Sequence, residues 1–159
     1  MRLGAAVRAI LFPHLEAKGF THTADAARDF SGFHRLRADG GYDLVEIQFD
    51  KRSQPFFFIN LGIAPADGVT LPQLGRIAAA DLHIYHLSIQ GRLRKKFAVS
   101  MLRRWLSPDT VCDDIARDAA ACFDVAEKWF AQPEKPPACI AVHDYSDVVA
   151  KMQNSTQAD

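Results

Sequence analysis

Residues 45–63, VEIQFDKRSQPFFFINLGI, decide the fold. Val45, Ile47 and Phe49 alternate with Glu46, Gln48 and Asp50. After a polar turn, Phe57, Ile59, Leu61 and Ile63 alternate with Phe56, Phe58, Asn60 and Gly62. A period of two puts successive side chains on opposite faces of a strand. The stretch predicts two antiparallel strands around a turn at 51–55. One face is apolar, and the other carries Glu46, Gln48, Phe58 and Asn60. Gly62 predicts a bulge or a close approach of another piece of chain.

Working outward, residues 30–37 (FSGFHRLR) read as a preceding strand, and Asp39, Gly40 and Gly41 supply the turn between. Three strands on short turns make a meander. Ala6, Val7, Ile10, Leu11 and Leu15 recur at helical spacing and predict a helix over 3–18, capped at Gly19. Pro13 should kink that helix or end it early. Residues 21–29 read as a loop. Beyond the meander, 71–80 read as a short helix after Thr70, weakened by Gly75. Residues 82–89 (LHIYHLSI) read as a fourth strand. Leu93, Phe97, Met101 and Trp105 keep a spacing of four, so 93–106 stays open between helix and strand. Ser107, Pro108 and Asp109 mark a helix start. From there Val111, Ile115, Ala119, Cys122, Ala126 and Trp129 form one stripe to about Phe130. A linker follows at 133–137, then a short element at 144–152 and a polar tail at 153–159.

The class is therefore α+β: one domain over 1–152, with an antiparallel sheet of about four strands and helices packed on one face. The chain has 159 residues, with Lys plus Arg equal to Asp plus Glu at 19 each. Zero net charge argues against a dedicated nucleic-acid binder, which needs a basic excess to displace counterions. It also removes long-range repulsion, so a homo-oligomer is compatible. Cys112, Cys122 and Cys139 are an odd, widely spaced set, which reads as free thiols in a reducing compartment. No signal peptide or membrane-length apolar run is visible, so the expected location is the cytoplasm.

The pattern resembles a family known only as a domain of unknown function, DUF4304. The resemblance rests on Gly19-Phe20 after the first helix, Phe33-His34-Arg35, Gln48, Phe57 to Gly62 (FFINLG), Arg92-Leu93 and Trp105, over residues 5–130. It departs in lacking the double Trp often found near Trp105. The resemblance implies an α+β fold and brings no activity or catalytic residues. Small orphan domains of this kind can sit beside toxin genes, which suggests an immunity role by association.

The candidate binding residues are Arg35, Glu46, Gln48, Phe58, Asn60 and Arg92. An acceptor, two amides and the Arg35 guanidinium on one sheet face can hold a peptide, a base or a carboxylate, with Phe56 and Phe58 as walls. The ordinary alternative is that Gln48 and Asn60 only satisfy backbone groups. His83 and His86 are three apart, and His83 shares strand parity with Asp81 and Tyr85. No zinc or phosphate-binding motif accompanies them, so neither metal nor cofactor is expected. Cys139 and His143 lack an orienting partner for a nucleophilic dyad. The basic cluster of 91–104 (Arg92, Arg94, Lys95, Lys96, Arg103, Arg104) can grip phosphate or an acidic partner, or be a solvated face. The leading expectation is a non-enzymatic module that binds another protein, with an immunity or regulatory role. The alternative is a small hydrolase or phosphate-handling enzyme built on Asp81, His83, Arg92 and Glu46. Nucleic-acid binding through 91–104 comes third.

Overall fold

The computed structural model describes residues 2–23, 29–52, 54–71, 74–100, 102, 105 and 110–147. The expected helix start at 107–109, Met101, Arg103, Arg104, most of the 21–29 loop and the 148–159 end lie outside the described residues.

The chain opens with α1 (Leu3–Ala6), a π-helical turn (Val7–Leu11) and α2 (Phe12–Ala17). Pro13 does not end this helix. It has no N–H to donate, and the π turn just before it widens the coil, with the Phe12 N–H reaching back to the Val7 carbonyl. Gly19 closes the helix at a φ of 85°, and Phe20 folds under it, its N–H on the Leu15 carbonyl.

The meander is present as β2 (Phe30–Leu36), β3 (Tyr42–Phe49) and β4 (Phe56–Ala64), with a two-residue β1 (Thr21–His22) on its edge where a loop was expected. The α+β class holds, and the antiparallel sheet grows to seven strands. The additions are β7 (Ile89–Leu93) and β8 (Phe97–Ala98), both against β4, and β9 (Ile140–Asp144) outside β7. Residues 93–98 are therefore strand on both sides of a bend. The expected helix at 71–80 is instead a hairpin, β5 (Val69–Leu71) with β6 (Gly75–Ile77). Gly75 sits there at a φ of 71°, a conformation other residues resist. The expected strand at 82–89 is instead a 3-10 turn, Ile84–His86, which follows another at Ala79–Asp81; only Ile89, the first residue of β7, is strand.

α3 (Val111–Ala126) and α4 (Lys128–Ala131) join the N-terminal helix on one face of the sheet. Val111, Ile115, Ala119, Ala126 and Trp129 are buried as the stripe predicts, while Cys122 lies at its half-buried margin. They meet Val45, Ile47, Phe57, Ile59 and Leu61 from the sheet. Gly91 exists where it does because Trp129 lies on it: a Cβ there would come within 2.9 Å of the indole.

The opposite face is not simply open. The 79–87 segment crosses one end of it and buries Leu44, Ala64, Leu82, Ile84 and Leu87 in a second, smaller cluster. Gly62 is the contact point, since a Cβ would stand 2.6 Å from Leu87. The close approach expected at Gly62 is thus made by this crossing segment. The other end of that face, around Gln48, Phe58 and Arg92, is left uncovered by it and forms a cleft.

Candidate functional site

Register builds the site. Glu46 pairs with Asn60, and Asn60 with Arg92, so one row of three side chains crosses β3, β4 and β7. Gln48 and Phe58 form the next pair along. All five lie on the face away from the helices.

Asn60 ties the row together. It is 6% exposed. Its amide donates to Glu46 Oε1 at 3.1 Å and to Gln48 Oε1 at 3.3 Å. Its carbonyl oxygen accepts from Arg92 Nε at 2.7 Å. Arg92 Nη2 donates to Gln48 Oε1 at 2.9 Å. A guanidinium only donates and a carboxylate only accepts, so this network fixes which way each amide points. The Arg92 guanidinium stacks 4.9 Å from the Phe58 ring. The expectation that Gln48 and Asn60 merely satisfy backbone groups does not describe them; their partners are side chains.

Glu46, Gln48, Asn60 and Arg92 line a cleft of about 340 Å³ with Phe30, Tyr85, Gln90, His143 and Tyr145. Glu46 also lines a second cleft, of about 310 Å³, with His34, Asp81, His83 and Thr23. Burial pushes the Glu46 carboxyl above the usual carboxylate range, against the Asn60 hydrogen bond and the charges of His83 and Arg92. Burial, with the charge of His83, lowers His34.

Arg35 is a correction. β2 pairs with β3 so that Arg35 faces Asp43, on the helix side. There its guanidinium lies between Phe20, at 4.4 Å, and Phe130, at 5.7 Å. It donates to Asp43 at 2.8 and 3.0 Å, to the Lys18 carbonyl at 3.1 Å and to Glu127. Arg37 shares Asp43. Lys18 joins Glu127 and Asp124, and His14 completes the chain at Asp124. This network ties helix to sheet.

Asp81 and His83 reach the second cleft from the crossing segment, so neither acts from a strand. Arg92 lies in the adjoining cleft rather than theirs. The basic cluster is divided. Lys95 pairs with Asp118 on the helix side. Lys96 stands 3.5 Å over the Phe56 ring on the other. Among the described residues no group of three or more His, Cys, Asp or Glu is placed to hold a metal ion. No described helix is long and apolar enough to cross a membrane.

Tyr85, Gln90, His143 and Tyr145 were not foreseen as lining residues. Tyr85 comes from a 3-10 turn, and His143 from the edge strand, opposite Gln90. Only the alternation of QGRL over 90–93 carried any signal, placing Gln90 on the same side as Arg92. Searches against protein families, curated proteins and solved structures find no match to this chain.

Proposed function

We propose that this chain is a non-enzymatic binding module that docks another protein on the uncovered half of its sheet. The observation that supports it is the fixed row of Glu46, Asn60, Gln48 and Arg92. These groups hold one another in place before any ligand arrives, so little order is lost on binding. Tyr85 and Tyr145, both exposed, flank them and supply the aromatic surface that protein interfaces favour. Gln48 and Asn60, two of the residues behind the DUF4304 resemblance, meet in this row. We extend the reading to membership of that family, to a cytoplasmic setting and to an immunity or regulatory role.

The test is affinity capture from host lysate with the wild-type chain and a folded Gln48→Ala/Arg92→Ala variant, followed by reconstitution with the purified captured protein. The reading expects one stoichiometric partner that binds the wild type and not the variant. Equal binding to both would move the docking surface elsewhere.

A second reading, a small enzyme, is favoured by the cleft that Glu46 shares with His34, Asp81 and His83. Burial moves Glu46 and His34 towards their neutral forms, as acid–base groups require. A hydrolase screen against ester and phosphate substrates checks it. Turnover lost in both Glu46→Gln and His34→Gln would favour the enzyme.

A further inference from the structure

We propose that the uncovered sheet face recognises an extended acidic segment of the partner protein, one carboxylate entering the Arg92 cleft and a second reaching Lys96. The inference rests on the docking reading above and names the chemistry that is docked.

Arg92 is set up as a receptor rather than as a strut. Among the described residues, every group that accepts from it is a neutral amide, Asn60 or Gln48. No carboxylate pairs with it among the described residues. Elsewhere the half-buried arginines are neutralised: Arg35 by Asp43 and Glu127, Arg37 by Asp43. A guanidinium has five N–H donors. At Arg92 one Nε and one Nη2 bond are made, while Nη1 and the Gln48 amide nitrogen have no partner among the described residues. Both side chains line the cleft. Phe58 covers a face of the guanidinium, so its polar edge is what the cleft offers. That planar fork matches a carboxylate.

Lys96 supplies the independent observation. It sits over Phe56, the ring packed edge-on against Phe58 at 5.6 Å. Two cations thus stand on two adjoining rings of one strand face, and neither has a carboxylate partner among the described residues. Alternate residues of an extended peptide lie roughly 7 Å apart, so acidic residues at i and i+2 can serve both. Glu46 does not prevent this. Its Oε1 is already engaged by the Asn60 amide, and burial raises its pKa, which lessens its repulsion of an incoming carboxylate. The volume of about 340 Å³ suits one side chain rather than a folded element.

The test is an NMR titration of the intact chain, following the Arg92 Nε–H and the Gln48 and Asn60 side-chain amides. The probes are a blocked Gly-Glu-Gly-Glu-Gly peptide, its Gln counterpart, free glutarate and inorganic phosphate. We expect saturable shifts with the Glu peptide and at least about tenfold weaker binding of the Gln peptide and of glutarate. Arg92→Gln, and Gln48→Glu, which places a carboxylate against Arg92, should each lose about tenfold. Lys96→Gln should lose less, and Lys95→Gln nothing. Equal binding of the Gln peptide, phosphate binding as tight as the Glu peptide, or no shift with any probe would overturn the inference. In those cases the docking reading stands if the captured partner still depends on Gln48 and Arg92. Tighter binding of glutarate than of peptide would overturn the partner-protein assignment itself.

Discussion

Arg35 and Arg92 stand on opposite faces of one sheet, each stacked on a phenylalanine, and their partners separate their roles. Arg35 meets two carboxylates and a backbone carbonyl, and is held between Phe20 and Phe130. It joins β2 and β3 to the end of α3. Arg92 meets two amides and faces a cleft. A charge neutralised by its own protein contributes to stability. A charge given only neutral acceptors keeps most of its attraction for something else. Binding specificity in this chain sits where electrostatic satisfaction was left incomplete.

The largest break in the comparison is expected at Glu127. Glu127→Ala removes an acceptor from both Lys18 and Arg35 and leaves the Arg35 charge short of a partner. Breaking a buried pair costs about 3–5 kcal/mol. The groups here are a quarter exposed, so about 2 kcal/mol is expected by urea denaturation. A smaller effect separates two consecutive residues. Gly91→Ala drives a methyl into Trp129 and should cost about 1–2 kcal/mol of stability. Arg92→Gln, next to it but facing the cleft, should leave stability within about 0.5 kcal/mol. A reversed order in those two denaturation curves would mean that the cleft face, too, is structural.

Acid titration gives the subtlest effect, with opposite signs on the two faces. Glu127 titrates below its usual range: burial opposes this, but Lys18 and Arg35 outweigh it. Its contribution is present above the ordinary carboxylate range and fades as pH falls through the lowered value. Glu46 titrates above its usual range through burial. Its protonated form is the one the fold prefers, so its contribution is present at low pH and is lost as pH rises through the raised value. The deficit of Glu127→Gln should therefore shrink towards acid, while Glu46→Gln should gain on the wild type as pH rises. Stability curves from pH 3 to 8 read both.

Much of this was legible in residues 45–63, because strand parity is local. It placed Phe57, Ile59 and Leu61 in the core and Glu46, Gln48, Phe58 and Asn60 opposite, and it flagged Gly62. Arg35 was not legible, since FSGFHRLR has an aromatic on each parity, Phe30 and Phe33. Only the pairing with β3 shows that Phe33 takes the core face. The 71–89 segment failed for another reason. Leu82, Ile84 and Leu87 fill a small second cluster against Leu44 and Ala64, a tertiary need that imposes no regular period. Pro13 was read correctly as a disturbance, but the helix continues past it through a π turn whose Val7 and Leu11 share a core with α3. Tyr85, His143 and Tyr145 were hidden because their neighbourhood is made by contacts remote in sequence.

The most direct test of the contrast between the two faces is the denaturation midpoint of Arg35→Ala beside that of Arg92→Ala, under identical conditions. The account predicts a loss of about 2 kcal/mol for Arg35→Ala, which strands Asp43 and Glu127, and a smaller loss of about 1 kcal/mol for Arg92→Ala, which takes only a donor from the Asn60 carbonyl. Equal losses would contradict it, because Arg92 would then be holding the fold together rather than waiting for a ligand.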